Sequence, residues 1–170
     1  MTKSVILLGN DSGNFLITDI DPNSSFKNQL RINAHQSAIQ NIKKTNENLI
    51  LSSAKYPDID LKLWDMSAMQ NLDQQKTQTG QNNRLVLMLA QLRGHSSEII
   101  GHDFLQGRIL ISIDKMGYVN IWDWKINTPI YSMKLNIDRI NNFVLYSNKE
   151  GFVVSNENGT IQSFSIIEST

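Results

Sequence analysis

Two stretches of this chain lie over one another almost residue for residue: AHQSAIQNIKKTNENLILSSAKYPDIDLKLWD, from Ala34 to Asp65, and GHSSEIIGHDFLQGRILISIDKMGYVNIWD, from Gly94 to Asp123. Each begins with a small residue and a histidine, reaches an isoleucine four positions after that histidine, turns, and runs through an apolar stretch to a serine. After a second turn each closes on apolar, polar, apolar, Trp, Asp. A weaker copy starts at Leu135, with Asn136 in the histidine position and Phe164 in the tryptophan position. The opening VILLGNDSGNFLITD matches only the second half of the unit, with Thr18 where the tryptophan would stand. A period of about forty residues restricts the fold more than composition does, because a small unit that cannot bury its own faces must stack on copies of itself.

The unit is made of strands. Short runs rich in Ile, Leu, Val and Thr are bounded by Gly, Asn, Asp and Ser, with no sustained helical period, so the class is all-β. The middle runs NLILSS and RILISI are apolar at consecutive positions, which suits strands covered on both faces. A Gly-His start and a Trp-Asp end resemble the WD-repeat β-propeller family, across essentially the whole chain and most closely in the two middle copies. The resemblance implies four-stranded antiparallel blades. It makes 1–33 a partial blade, 34–93 a blade with a long loop at 66–83, 94–135 a further blade and 136–170 a second partial one. The first unit then lacks its first strand and the last unit its fourth. An incomplete, open propeller is expected, with Val5 to Leu8 and Ile161 to Ile167 near exposed edges. Such an arc is a section of a longer propeller, half of one completed by another chain, or a small ring closed by rearrangement, and the first two are favoured. The Gln- and Asn-rich loop at 66–83 is expected to be disordered or to form a partner-binding arm.

The resemblance also assigns roles. A histidine entering the first strand, a serine on the second, an aspartate before the third and a tryptophan on the third form a buried polar network. In the first full blade these are His35, Ser52 or Ser53, Asp58 and Trp64; in the next, His95, Ser112 and Trp122. There Met116 stands at the usual aspartate position, and Asp114 lies two residues earlier. The last copy offers Asn136, Ser155, Asn158 and Phe164 and is expected to lack the network. Trp124 follows Trp122 by two residues and has no tryptophan counterpart, Met66 standing in its place; it either packs under the loop to Pro129 or serves as a contact.

Other chemistry finds little support. Lys plus Arg and Asp plus Glu each number 16, so no net field draws the chain to nucleic acid or anionic lipid. With no cysteine there is no disulfide, thiolate zinc site or cysteine nucleophile, and a reducing compartment fits. No apolar run is long enough to span a bilayer, and the start does not read as a signal peptide. Sequons at Asn23 and Asn158 are therefore read as chance. His95, Glu98, His102 and Asp103 are close in sequence and of metal-ligating types. His95 is claimed by the repeat, however, and His102 takes the strand position of Ile42, so a core role is expected. NDSGN and NENGT read as turns rather than phosphate loops, and no nucleophile elbow or dinucleotide fingerprint occurs.

The expected function is a non-catalytic protein–protein interaction scaffold, an adaptor or a subunit of a larger complex. The expectation includes no cofactor, metal, small-molecule substrate, nucleic acid or membrane partner. Partners would be other proteins, including a chain that completes the propeller. Lys55, Tyr56, Arg93, Lys115, Met116 and Arg139, with Trp124, are the candidate partner-binding residues, and a short, somewhat acidic peptide is the candidate ligand. The alternative is a structural piece of a large cytoskeletal or ciliary assembly. Either reading places the protein in the cytoplasm.

Overall fold

The computed structural model describes residues 5–19, 29–45, 48–67 and 86–166. Its strands are β1 (Val5–Gly9), β2 (Asn14–Asp19), β3 (Gln29–Asn33), β4 (Ile39–Lys44), β5 (Leu49–Ala54), β6 (Leu61–Asp65), β7 (Leu87–Leu92), β8 (Ile99–Gln106), β9 (Ile109–Asp114), β10 (Tyr118–Asp123), β11 (Thr128–Lys134), β12 (Ile140–Leu145), β13 (Gly151–Asn156) and β14 (Ile161–Ser165). They form four antiparallel sheets in chain order: β1-β2-β3, β4-β5-β6-β7, β8-β9-β10-β11 and β12-β13-β14. The fold is all-β, as the strand-length apolar runs require.

The sheets stack face to face. β5 and β9 are buried along nearly their whole length because both faces are covered. Side chains of alternate parity point to opposite neighbours, so one strand feeds two cores. Ile50 and Trp64 turn back to Phe15 and Ile17 of the first sheet. Leu51 and Leu63 turn forward to Leu110 and Trp122 of the third. Ile111 and Ile113 turn forward in the same way to Phe152 and Val154 of the fourth. β1, β4, β8 and β12 are successive neighbours on one side of the stack. The three inner strands β4, β8 and β12 share a register irregularity near their starts, at Ile39/Asn41, Ile99/Gly101 and Ile140/Asn142. A bulge at the same place in each copy bends the inner strand where the loop enters it.

The stack is not closed. Among the described residues, register shows what each end lacks: β1 and β2 pair as β9 and β10 do, so no described strand takes the inner place of the first sheet, and none follows β14 in the fourth. Turn glycines report the same deficit. At Gly117, φ is +84° and an added Cβ would lie 2.2 Å from the Ile137 carbonyl oxygen of the loop beyond the outer strand. At Gly159 φ is +79° and nothing lies within 4 Å. Of the long loop at 66–83, only Met66 and Ser67 fall among the described residues, as does neither Asn23 nor Ile167.

Candidate functional site

In the third sheet a chain of hydrogen bonds runs through the core. The Trp122 indole Nε1–H donates to Ser112 Oγ at 2.7 Å. Ser112 Oγ lies 2.6 Å from His95 Nε2, and His95 Nδ1 lies 3.1 Å from Asp114 Oδ2. The Asp114 carboxylate can only accept, so His95 Nδ1–H donates to it and Nε2 accepts from the Ser112 hydroxyl, whose oxygen takes the indole N–H. Asp114 also accepts from the Tyr118 backbone at 2.9 Å and so closes the turn. Aspartate, histidine and serine in this order have the connectivity of a hydrolytic triad. Ser112, however, is 0% exposed and its oxygen is held by an indole, so no substrate can reach it. The arrangement satisfies buried polar groups, each of which costs about 1–3 kcal/mol when left unpaired.

The second sheet builds the same core from a different loop. Trp64 Nε1 donates to Ser52 Oγ at 2.8 Å, and Ser52 Oγ lies 2.9 Å from His35 Nε2. Ser53 points the other way, and its buried hydroxyl has no hydrogen-bond partner among the described residues. Asp58 comes from the longer β5–β6 loop, yet its Oδ2 still reaches His35 Nδ1 at 3.0 Å. It also accepts the Gln36 backbone N–H at 2.8 Å and Lys62 Nζ at 3.2 Å. Burial alone would raise the Asp58 pKa; the Gln36 amide, His35 and Lys62 together hold it below the usual carboxylate range. Burial pushes the His35 pKa down, keeping it neutral against the pull of Asp58. Lys62 was not among the sequence candidates. Its signal was there: in LKLWD it shares parity with Trp64, which points its stem into the core.

The end sheets depart from this pattern. In the fourth sheet Val154 pairs with Gln162 as Ser112 pairs with Asn120, so valine takes the serine position. Asn156, not Asn158, takes the place of Asp114: its Oδ1 accepts the Thr160 N–H at 2.9 Å. Ser155 and Asn158 are therefore corrected by one and two positions, because alignment on residue identity ignored strand parity. Ser155 instead donates to Asn141 on the surface. Phe164 stacks on Phe152, with centroids 5.2 Å apart.

Loops at the histidine end form one face. Lys55, Lys115 and Glu157 line a shallow cavity of about 360 Å³ with Gln40, Glu98 and Asn141, across the inner ends of the second, third and fourth sheets. Lys115 Nζ contacts Glu157 at 2.9 Å. That hydrogen bond raises the lysine pKa and lowers the glutamate pKa. Arg93 is drawn to Asp60 at 3.3 Å. Arg139, at φ +52°, supports the turn through its carbonyl, which accepts the Glu157 N–H at 3.0 Å. Tyr56 is 75% exposed on this face, and Met116 is exposed as well.

Neither a protein-family model nor a curated protein matches the sequence. Solved structures do match the architecture. The WD40 β-propeller domain of Doa1 overlays 95% of this chain with TM-score 0.70 at 10% identity, using 47% of its own length. The chain is a section of a β-propeller. Two computationally designed proteins overlay 98% of it at TM-score 0.69 and 20% identity: Ika4, over 88% of that chain, and Ika8, over 44%. The section thus spans a little under half the length of the Ika8 chain and of the Doa1 domain.

Two further residues take their meaning from the blades. Trp124 follows the third strand of its blade and so lies at the opposite strand ends from Lys55, Tyr56, Arg93, Lys115, Met116 and Arg139, which separates it from the other candidate contacts. It is half-buried against the core between the second and third blades, with Lys125 Nζ 5.8 Å from its ring. His102 lies in β8, paired with Ser112, where the neighbouring blades carry Ile42 and Phe143. Burial lowers its pKa to about 4, outweighing the Asn41 backbone and Asp103, which favour the charged ring. Asp103 turns instead to Lys43 at 3.0 Å and Lys149 at 3.7 Å. His95, Glu98, His102 and Asp103 are thus dispersed, and among the described residues no three His, Asp or Glu groups converge on a metal-sized site.

Proposed function

We propose that the chain is a WD-repeat section whose loops hold other proteins, without catalysis of its own. The observation that carries this reading is the pair of His–Ser–Trp networks, which repeat the family's blade pattern. They commit His35, His95, Ser52 and Ser112 to the core. A rigid core supports loops whose exposed groups are free to make contacts. Of the four cations on the histidine-end face, Lys115 is paired with Glu157 and Arg93 with Asp60, so an acidic peptide has less to attract it there than four free cations would offer. The contact is assigned to Tyr56 and Met116, since aromatic and methionine side chains dominate such interfaces. An intracellular adaptor, in the cytoplasm or on a cytoskeletal or ciliary assembly, fits the cysteine-free sequence. The test compares proteins captured by the native chain and by a Tyr56→Ala/Met116→Ala variant of equal urea midpoint. A discrete partner set lost only from the variant supports the reading; an identical set, or none, sinks it.

A structural-subunit reading is favoured by one observation, the exposed apolar side chains Leu8, Val144 and Ile161 on the blade faces at the two ends. Insolubility of the chain alone, cured by coexpression with one neighbour, would select it.

A further inference from the structure

We propose that the two end faces of this propeller section bind each other in a second copy of the chain, so that two copies close one ring of eight sheets. The inference rests on the fold and not on the adaptor reading.

The internal junctions define what fits what. At each one, the same position of the second strand in a blade meets the adjacent position in the next: Leu7 shares a core with Ile50, Leu51 with Leu110, and Ile111 with Phe152. Pairing register makes Val153 the equivalent of Leu7, Leu51 and Ile111, and Ile6 the equivalent of Ile50, Leu110 and Phe152. Among the described residues, Val153 and Ile6 are the two members of this series without a mate, and they sit on opposite ends of the arc. Apolar side chains surround both. Leu8 is 51% exposed beside Ile6, and Val144 and Ile161 are 58% and 72% exposed beside Val153. Uncovered apolar groups at matched positions are an interface signature, and a head-to-tail contact forms a ring when its rotation closes.

The third-strand position is different. Internal junctions pack Ile17 on Trp64 and Leu63 on Trp122, whereas the ends offer Thr18, already covered, and Ser163. The Gly159 turn also stays open, so the new junction is narrower than the internal ones and is carried by the inner and second strands. Two copies give eight sheets, within the usual range of about four to eight blades. The overlay of this chain on 47% of a propeller domain fits half a ring.

Solution mass decides the first point: the chain should weigh about twice its 19.3 kDa at micromolar concentration. Leu8→Asp or Val144→Asp, each burying an unpaired charge, should raise the half-dimerisation concentration by about tenfold or more. A one-to-one mixture of the two variants retains one intact junction and should regain a dimer that neither forms alone. A readout less exposed to folding defects uses the cysteine-free sequence. With a short bis-maleimide, Ile6→Cys mixed with Val153→Cys should give the mixed crosslink, and each alone should stay uncrosslinked. A monomer at every concentration would assign the faces to further sheets of a longer polypeptide or to a foreign chain and overturn the proposal. So would a dimer that crosslinks through Ile6→Cys alone, since that joins like ends.

Discussion

At the scale of the residue, polar groups in this core fall into those with partners and those without. His95 and Ser112 are partnered, so truncating either strands the rest of the chain of bonds from Trp122 to Asp114. His95→Ala and Trp64→Phe are each expected to cost about 1–3 kcal/mol in urea unfolding. Asn136→Ala, at an exposed position, should cost less than about 0.5 kcal/mol. Similar losses at all three would mean that the blade equivalence is wrong. In His102 burial prevails over the groups around the ring. Its folded pKa of about 4 lies below the ordinary histidine value, so between these the unfolded chain binds more protons than the folded one. Stability should therefore be full above about pH 6.5 and fall as pH drops towards 4, by about 3 kcal/mol over the whole interval. The Asn41 backbone and Asp103 favour the charged form of this ring, whereas burial, Lys43 and His35 oppose it. His102→Phe, which copies the fourth blade, should reduce the wild-type difference between pH 7 and pH 4.5, read as unfolding midpoints of both proteins, and leave the part due to the lowered His35 pKa; an unchanged slope would place the titration elsewhere.

Elements in this fold differ most at their turns. The β9–β10 turn needs a left-handed residue at Gly117 and also has the Ile137 carbonyl pressed against it, while the β13–β14 turn at Gly159 needs only the backbone conformation. Gly159→Ala is expected to cost about 1 kcal/mol, the strain of an L-residue at positive φ. Gly117→Ala should cost clearly more, because a backbone oxygen must move as well. Paired thermal melts would show the difference, and equal losses would mean that the carbonyl contact is not tight. Carboxylate placement shows the same dependence on local chain length. Ser52 to Asp58 spans six residues and Ser112 to Asp114 only two, yet both carboxylates arrive beside a histidine Nδ1. The shorter β9–β10 turn leaves the aspartate on the strand end, and the longer β5–β6 loop carries it on the loop.

For the whole molecule, the missing strands set the distribution of local stability. Among the described residues β14 has no neighbour on its outer side, so its outward amides should exchange with solvent quickly, and those of β9, held between β8 and β10, slowly. Hydrogen exchange by mass spectrometry or NMR checks this, and uniform protection of β14 would reveal an additional strand on that edge. Dimerisation through the blade faces would slow β1 and β13 while leaving the free edge of β14 fast, which separates face stacking from edge pairing.

The sequence by itself determined the strand class, the repeat length and the open arc, since strand-length apolar runs repeated with missing halves allow few other outcomes. It also marked His35, His95, Trp64 and Trp122, because a repeated polar residue inside an apolar pattern signals a buried partner. Only tertiary structure decided that Asp114, rather than the residue at Met116, completes the second network, since that depends on how far a turn reaches in space. It likewise replaced Ser155 and Asn158 by Val154 and Asn156, because strand pairing fixes parity and letters do not. Trp124 and Lys62 belong with these: one sits across the blade from its supposed neighbours, the other buries its charge against Asp58. Spacing along a chain specifies which groups recur, but the direction a side chain takes is set by the strand across from it.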